Sequence, residues 1–296
     1  MRTAAFISDL LARRLPGAAL DWVRTASGEI AGGADDARFA ALIALASRHA
    51  RRAPLAPDAR ERAEAERLLP GFNPERWTVQ ETVRVSLVLA RPDLERESGA
   101  RAVEEVFRYA DEGELCALYR SLAHLPAPER FAWRAGEGCR TNMVTVFEAN
   151  ALDTPLPCAV FDDLAWRQAV IKCVFVGAPL WRLHGLDRRL SPELARMALD
   201  LADERRSAGR PVPHELWLAL GREGGERGLQ SLERELAGAH APGRRAAAYG
   251  LARAGATDRL ARHLASERDP LVATAMRDAL SGNTAQAAFR ALDTRN

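Results

Sequence analysis

Helical spacing interrupted by helix punctuation dictates most of what this chain can fold into. Apolar residues recur three and four positions apart along most of its length, and proline, glycine and short polar caps break the pattern at short intervals. Asp35 or Asp36 can cap a helix over residues 35–52, with Phe39, Leu42, Ile43 and Leu45 as its apolar stripe. Thr78 followed by Glu81 makes a capping box, which opens a helix to Ala90 with Val79, Val83, Leu87 and Ala90 on one face. The β-branched content of that segment also permits a strand, but its cap and length favour a helix. Asp111 and Glu114 repeat the capping pattern. Ser191-Pro192-Glu193 starts another helix: Ser as cap, Pro where its missing N–H costs nothing, and Glu near the positive end of the dipole. No strand pair, Asn-Gly hairpin signal or alternating β-α pattern is evident. The expected class is all-α, helical hairpins stacked as a curved α-α superhelix with no significant β-sheet.

The remaining segments follow the same logic. Residues 4–14 and 18–30 read as short helices broken at Pro16-Gly17, and residues 58–69 as a charged, largely solvated one. P-G-F-N-P at 70–74 is a turn, residues 99–110 and 114–124 form a helical pair, and G-E-G at 136–138 is expected to break the chain. After residues 221–228 an internal repeat begins. Leu232 aligns on Leu260, Leu236 on Leu264 and Pro242 on Pro270, at one constant offset (260 − 232 = 28). Each unit is a leucine helix, a turn and a proline-led alanine-rich helix, which resembles the short form of HEAT repeats. One hairpin cannot bury its apolar face alone, so such units stack. A chance match among Ala/Leu helices is the competing account.

Composition narrows the function. With 47% hydrophobic and 28% charged residues, the 296-residue chain can bury a core, and a net charge of +2 argues against nucleic acid or an anionic membrane as the main partner. Arginine replaces lysine almost everywhere, which fits genome composition better than arginine-specific chemistry. Four cysteines without a C-x-x-C pair argue against a zinc site or a disulfide framework and for thiols in a reducing cytoplasm. The N-terminus has no long apolar h-region and carries Asp9 early. No apolar run reaches the roughly 18 residues of a membrane span; the best, Ala169–Trp181, is interrupted by Lys172. A cytoplasmic location is expected.

The stretch Cys139–Arg189 departs from this plain helical composition. It holds Asn142, Glu148, Asp153, Trp166, Lys172, His184, Asp187, Arg188 and Arg189, and Lys172 is the only lysine in the chain. Residues 141–152 suit a helix opened by Thr141, on which Glu148 lies one turn from Thr145. Glu148 is either a solvated acid or a carboxylate facing a cleft. Lys172 either snorkels from an apolar helix or is held as a binding cation or tuned amine. Trp166 and Trp181 are core residues more often than cofactor platforms. Arg182, Arg188 and Arg189 around Gly185 suit a phosphate or carboxylate ligand, since each guanidinium can bind two oxygens; they equally suit structural pairing with Asp162, Asp163 or Asp187. His184 has no second ligand at metal-binding spacing. No metalloprotease, P-loop, dinucleotide or nucleophile-elbow motif is found, and no DD-x-x-D.

The runs R-T-N-M-V-T-V-F-E-A (140–149), A-L-D-T-P-L-P, L-A-W-R-Q-A-V-I-K, P-L-W-R-L-H-G-L-D-R-R and P-E-L-A-R-M resemble the EboA-domain family, densely from about Cys139 to Trp217. The family usually has I-A-L where this chain has Asn150-Ala151-Leu152, so a polar side chain stands where an apolar one is usual. The resemblance implies a bacterial protein of the ebo operon, whose members accompany enzymes that make or export a small secondary metabolite. It implies an EboA-like helical domain over 1–222, extended by HEAT-like repeats over 223–296. Two functions compete. One is a non-catalytic scaffold or binding protein for other ebo operon proteins or a small anionic metabolite. The other is an enzyme acting on a phosphorylated or polyol-like intermediate. Arg140, Asn142, Glu148, Lys172, Arg182, Asp187 and Arg188 are the candidate ligand-binding residues in either case, with no metal and no cofactor expected.

Overall fold

The computed structural model describes residues 2–292. The chain is all-α and packs as two compact units, Met1–Asp162 and Asp163–Asn296. Among the described residues the extended pairing is one isolated antiparallel bridge, between Pro54 and Thr78. The domain boundary expected after residue 222 falls inside the second unit.

The first unit runs α1 (Arg2–Ala12), α2 (Gly17–Ala31), α3 (Asp36–His49), α4 (Ala59–Leu68), α5 (Val79–Leu89), α6 (Glu97–Tyr109), α7 (Glu112–Leu122), α8 (Ala132–Arg140), α9 (Val144–Ala151) and α10 (Leu156–Val160). Its centre is α5, which packs against α1, α2, α3 and α7. The capping box at its start is formed. The Thr78 hydroxyl accepts from the Glu81 amide at 3.1 Å, and the Glu81 carboxylate accepts from the Thr78 amide at 2.7 Å. Val83, Val85, Leu87 and Val88 are fully buried, and so is Thr82, so this helix is covered around most of its circumference, as befits a central helix. Its one buried cation, Arg84, donates to the Ile43 carbonyl at 3.3 Å and faces Glu114 at 3.5 Å.

One buried acid and one uninterrupted helix depart from the sequence pattern. The segment around residues 58–69 is the charged, mostly surface helix expected, but one of its acids, Glu61 on α4, is buried. Its carboxylate completes a capping box with Asp58 and takes guanidinium forks from Arg13 at 2.8 Å and from Arg14. The Arg14 hydrogen bond holds that carboxyl below the usual range, against the opposing effect of burial. The glycines of G-E-G do not break the chain, since α8 runs through them. A Cβ on Gly138 would lie 2.6 Å from the Tyr119 ring and 2.9 Å from the Asn150 side chain. The missing side chain lets α8 approach its neighbours closely, and that packing outweighs the roughly 1 kcal/mol helix penalty of glycine. A short helix, α10, follows Pro155.

The second unit runs α11 (Asp163–Phe175), α12 (Pro192–Ser207), α13 (Gly225–Leu236), α14 (Ala241–Arg253), α15 (Thr257–Leu264) and α16 (Pro270–Leu280), with 3-10 turns at Leu180–Arg182, Leu186–Arg189, His214–Ala219, Gly221–Gly224 and Gln286–Leu292. The cap at Ser191 is made as expected, with its hydroxyl accepting from the Leu194 amide at 3.2 Å. At the centre lies α14, which packs on α13, α15, α16 and the His214–Ala219 turn. Ala246, Ala247, Ala248 and Leu251 are fully buried, and a Cβ on Gly250 would lie 2.6 Å from Leu232. Leu232 and Leu260, the matched positions of the two repeat units, are both buried. Leu236 is buried while Leu264 is only half-buried.

An aromatic cluster in the first unit yields a pH test. His124 packs edge-on to Phe72 at 4.6 Å and to Trp77 at 5.8 Å, and its Nδ1 has no hydrogen-bond partner among the described residues. Burial pushes its pKa down to about 4. The folded state therefore binds fewer protons than the unfolded chain between about pH 4 and the ordinary histidine value near 6.5. Stability present above pH 6.5 should fall as pH drops through this window, by on the order of 3 kcal/mol in all. Denaturant midpoints measured from pH 7.5 to 4.5 should show this fall in the native chain and a much flatter profile in His124→Phe. Equal slopes for the two would refute the assignment.

Candidate functional site

The seven candidate residues fall on both units. In the first, Arg140 ends α8 and pairs with Glu137 one turn back. Asn142 is exposed in the turn that follows. The Thr141 hydroxyl accepts from the Met143 amide at 3.1 Å, so Thr141 closes a turn and α9 opens later, at Val144. Glu148 is half-buried on α9, between the core residues Phe147 and Ala149. Its neighbour one turn back, Thr145, donates its hydroxyl to Glu112.

In the second unit, Lys172 is half-buried on α11, with its ammonium 5.5 Å from the centre of the exposed Phe175 ring. Trp166 is core, the commoner of the two roles weighed for it from sequence. Its indole N–H donates to the Arg189 carbonyl at 3.3 Å, the Arg189 guanidinium lies 4.8 Å above its ring, and Arg189 pairs with Asp163 at 2.9 Å. Arg182 is buried in the Leu180–Arg182 turn. Gly185 adopts φ +78, a left-handed turn that L side chains rarely adopt. Across it, Arg188 lies 2.7 Å from the His184 ring.

Asp187 has the partner that sequence reasoning missed. Arg253, at the end of α14, donates to its carboxylate and, at 2.5 Å, to the Thr284 carbonyl. The Arg253 side chain is only 5% exposed, and its Nε is buried without a hydrogen-bond partner among the described residues. Beside this pair is a cavity of about 330 Å³ lined by Asp187, Leu190, Gly221, Arg222, Glu223, Arg253 and Thr284. Gly221 has φ +49, and a Cβ there would lie 2.6 Å from Leu190 Cδ1, so this wall accepts no larger residue without moving Leu190. The partners Asp187 and Arg253 are 66 positions apart, and no local pattern at Arg253 distinguishes it from other arginines on an alanine-rich helix.

The buried thiols of Cys139 and Cys116 are poor nucleophiles at ordinary pH. Burial pushes Cys139 up to about 12 and Cys116 up to about 11. Among the described residues no group of three His, Cys, Asp or Glu could hold a metal ion, and no helix is long and apolar enough to cross a membrane.

The family model described as metabolite traffic protein EboA matches residues 3–221. The chain belongs to the EboA family. No curated protein and no solved structure matches it. The EboA match begins well before the dense central resemblance and includes nearly all of the first unit. It ends at Gly221, so Asp187 lies inside it, whereas Arg253 and Thr284 lie beyond it.

Asn150 is the polar side chain that stands where the resemblance leads one to expect an apolar one, and the structure shows how it is accommodated. Its amide is fully buried, with Nδ2 donating to the Ala135 carbonyl at 2.8 Å and to Cys139 Sγ at 3.1 Å. Its Oδ1 has no partner among the described residues. An unmade buried bond costs about 1–3 kcal/mol, close to what the two made bonds return. Asn150→Leu should therefore leave stability within about 1 kcal/mol of the native chain. Asn150→Asp, which buries a charge, should lower it by more than about 3 kcal/mol at pH 7. Chemical denaturation of the two variants checks this.

Proposed function

We propose that this EboA-family chain is a non-catalytic helical-repeat scaffold that binds a small metabolite, together with the proteins of the ebo operon that make or export it. Residues 1–222 form the EboA-like helical domain of this scaffold. Residues 223–296 extend it as HEAT-like repeats, whose stacked hairpins offer binding surface. The protein works in the bacterial cytoplasm, in secondary-metabolite biosynthesis.

One observation carries the non-catalytic reading. Three of the charged side chains that sequence marks as chemically interesting are engaged by near neighbours: Arg140 by Glu137, Arg188 by His184 and Asp187 by Arg253. A general acid or base must reach the proton it moves, and groups held in such pairs act as structure first. The family's description, metabolite traffic, agrees with binding and handing on rather than with turnover. The polar cavity beside Asp187 favours a second reading, an enzyme working on a phosphorylated or polyol-like intermediate there.

Purification of the full chain from cells expressing its operon, followed by mass spectrometry of bound proteins and small molecules, separates these readings. A stable complex with one or more operon products and a metabolite that returns unchanged after incubation is the expected outcome. Conversion of that metabolite by the purified chain would replace the scaffold reading with the enzymatic one. Recovery of the chain with neither protein nor metabolite would refute the scaffold reading.

A further inference from the structure

We infer that the cavity beside Asp187 is a binding site for a small polyol carrying one anionic group, a sugar phosphate or sugar acid, with Arg222 as its anion contact. This rests on the reading that the chain binds a metabolite, and it names the class of that metabolite and the place it occupies.

The two guanidinium groups at the cavity are not equivalent. Arg253 is committed to Asp187 and to the Thr284 carbonyl. Arg222 is different. Among the described residues its exposed side chain makes no ion pair and no hydrogen bond, although it lines the same cavity. Its guanidinium lies over the Gly255 turn, where an added Cβ would be 3.7 Å from its Nε. Gly255 has φ +79, so this turn both requires glycine and leaves space beneath the fork. An uncommitted guanidinium at a cavity wall is suited to a phosphate or carboxylate, which it can hold through two parallel N–H···O bonds.

Two carboxylates, Asp187 and Glu223, line the cavity as well. They repel a bare anion, and they accept hydrogen bonds from hydroxyl groups. Leu190 is the one large apolar side chain on the wall, so an apolar ligand would bury little surface there. A ligand matched to this set has a single anionic end for Arg222 and several hydroxyls for Asp187 and Glu223. The volume of about 330 Å³ is at the small end of ligand pockets, which fits a molecule the size of a monosaccharide derivative. The site also joins the EboA-matched residues to the helices that follow them, because Arg253 and Thr284 supply one wall.

Titration calorimetry of the full chain with glycerol 3-phosphate, glucose 6-phosphate, gluconate, glucose and inorganic phosphate tests this. Saturable binding of at least one of the first three is expected, with glucose and inorganic phosphate each at least about tenfold weaker. Arg222→Gln should weaken that ligand by about tenfold or more. Arg196→Gln, which removes one positive charge at an exposed helical pair elsewhere, should not. Glu223→Gln should weaken the polyol ligand and leave inorganic phosphate unchanged or tighter. The inference is overturned if none of the three binds saturably, if Arg222→Gln binds as the native chain does, or if inorganic phosphate binds as tightly as the polyol. Each of those results leaves the scaffold reading to stand or fall on the co-purification. A chain that co-purifies with neither protein nor metabolite and yet binds glucose 6-phosphate through Arg222 would keep this site and overturn the scaffold.

Discussion

Loop carbonyls captured by guanidinium groups hold the packing of this protein together. Its helices are short, and every end and connection presents backbone oxygens that no helix satisfies. Arginine after arginine closes them: Arg14 on Leu55, Arg62 on Pro57, Arg120 on Arg76, Arg130 on Glu95, Arg205 on Pro211, Arg244 on Gly238 and Ala239, and Arg253 on Thr284. Four of these, Arg14, Arg120, Arg244 and Arg253, also engage a carboxylate. A planar fork with five donors can serve a carbonyl and a carboxylate at once. A lysine ammonium is a point charge and fixes neither geometry so well. Genome composition can explain an excess of arginine, but it does not explain forks placed on loop oxygens.

The same constraint explains what the sequence made legible. Local signals came through because their physics is local. The capping boxes at Thr78/Glu81 and Asp111/Glu114 and the Ser191 cap each involve residues three apart, and all three are formed. The all-α class followed from the same punctuation. Signals that depend on distant partners did not come through. The acidic Glu61 looks like a solvated helix residue until Arg13 and Arg14, 47 or more positions away, close on it. The glycines of G-E-G look like a break because only the structure shows the Tyr119 ring that Gly138 must admit. Arg253 is one arginine among many until the chain returns it to Asp187.

The candidate residues divide along the same line. Uncommon residue types marked a stretch that lies within the EboA match. Residue type alone could not separate structural pairing from ligand binding. The guanidinium at Arg189 is spent on Asp163 and the Trp166 ring, one of the pairings weighed from sequence. Asp187 was weighed as a partner for its neighbours Arg188 and Arg189, and it is taken instead by an arginine outside the marked stretch. Arg222, the cavity guanidinium without a partner among the described residues, lies in the glycine-rich segment just before the internal repeat.

The position of Arg222 bears on how the C-terminal helices relate to the EboA-matched part. An appended module with its own core needs no polar contact with what precedes it. Here α14 packs on the His214–Ala219 turn, whose Leu216, Trp217 and Leu218 are fully buried, and all three lie within the family match. The Arg253 side chain is almost wholly buried where it meets Asp187, so desolvating its charge carries a penalty of several kcal/mol unless a carboxylate opposes it. Cutting the chain after residue 221 would strip cover from those apolar residues and leave the Asp187 cavity without its Arg253 and Thr284 wall. The residues after 221 are therefore part of the same folding unit as Asp187, and whatever the cavity binds, both segments must be present to form it.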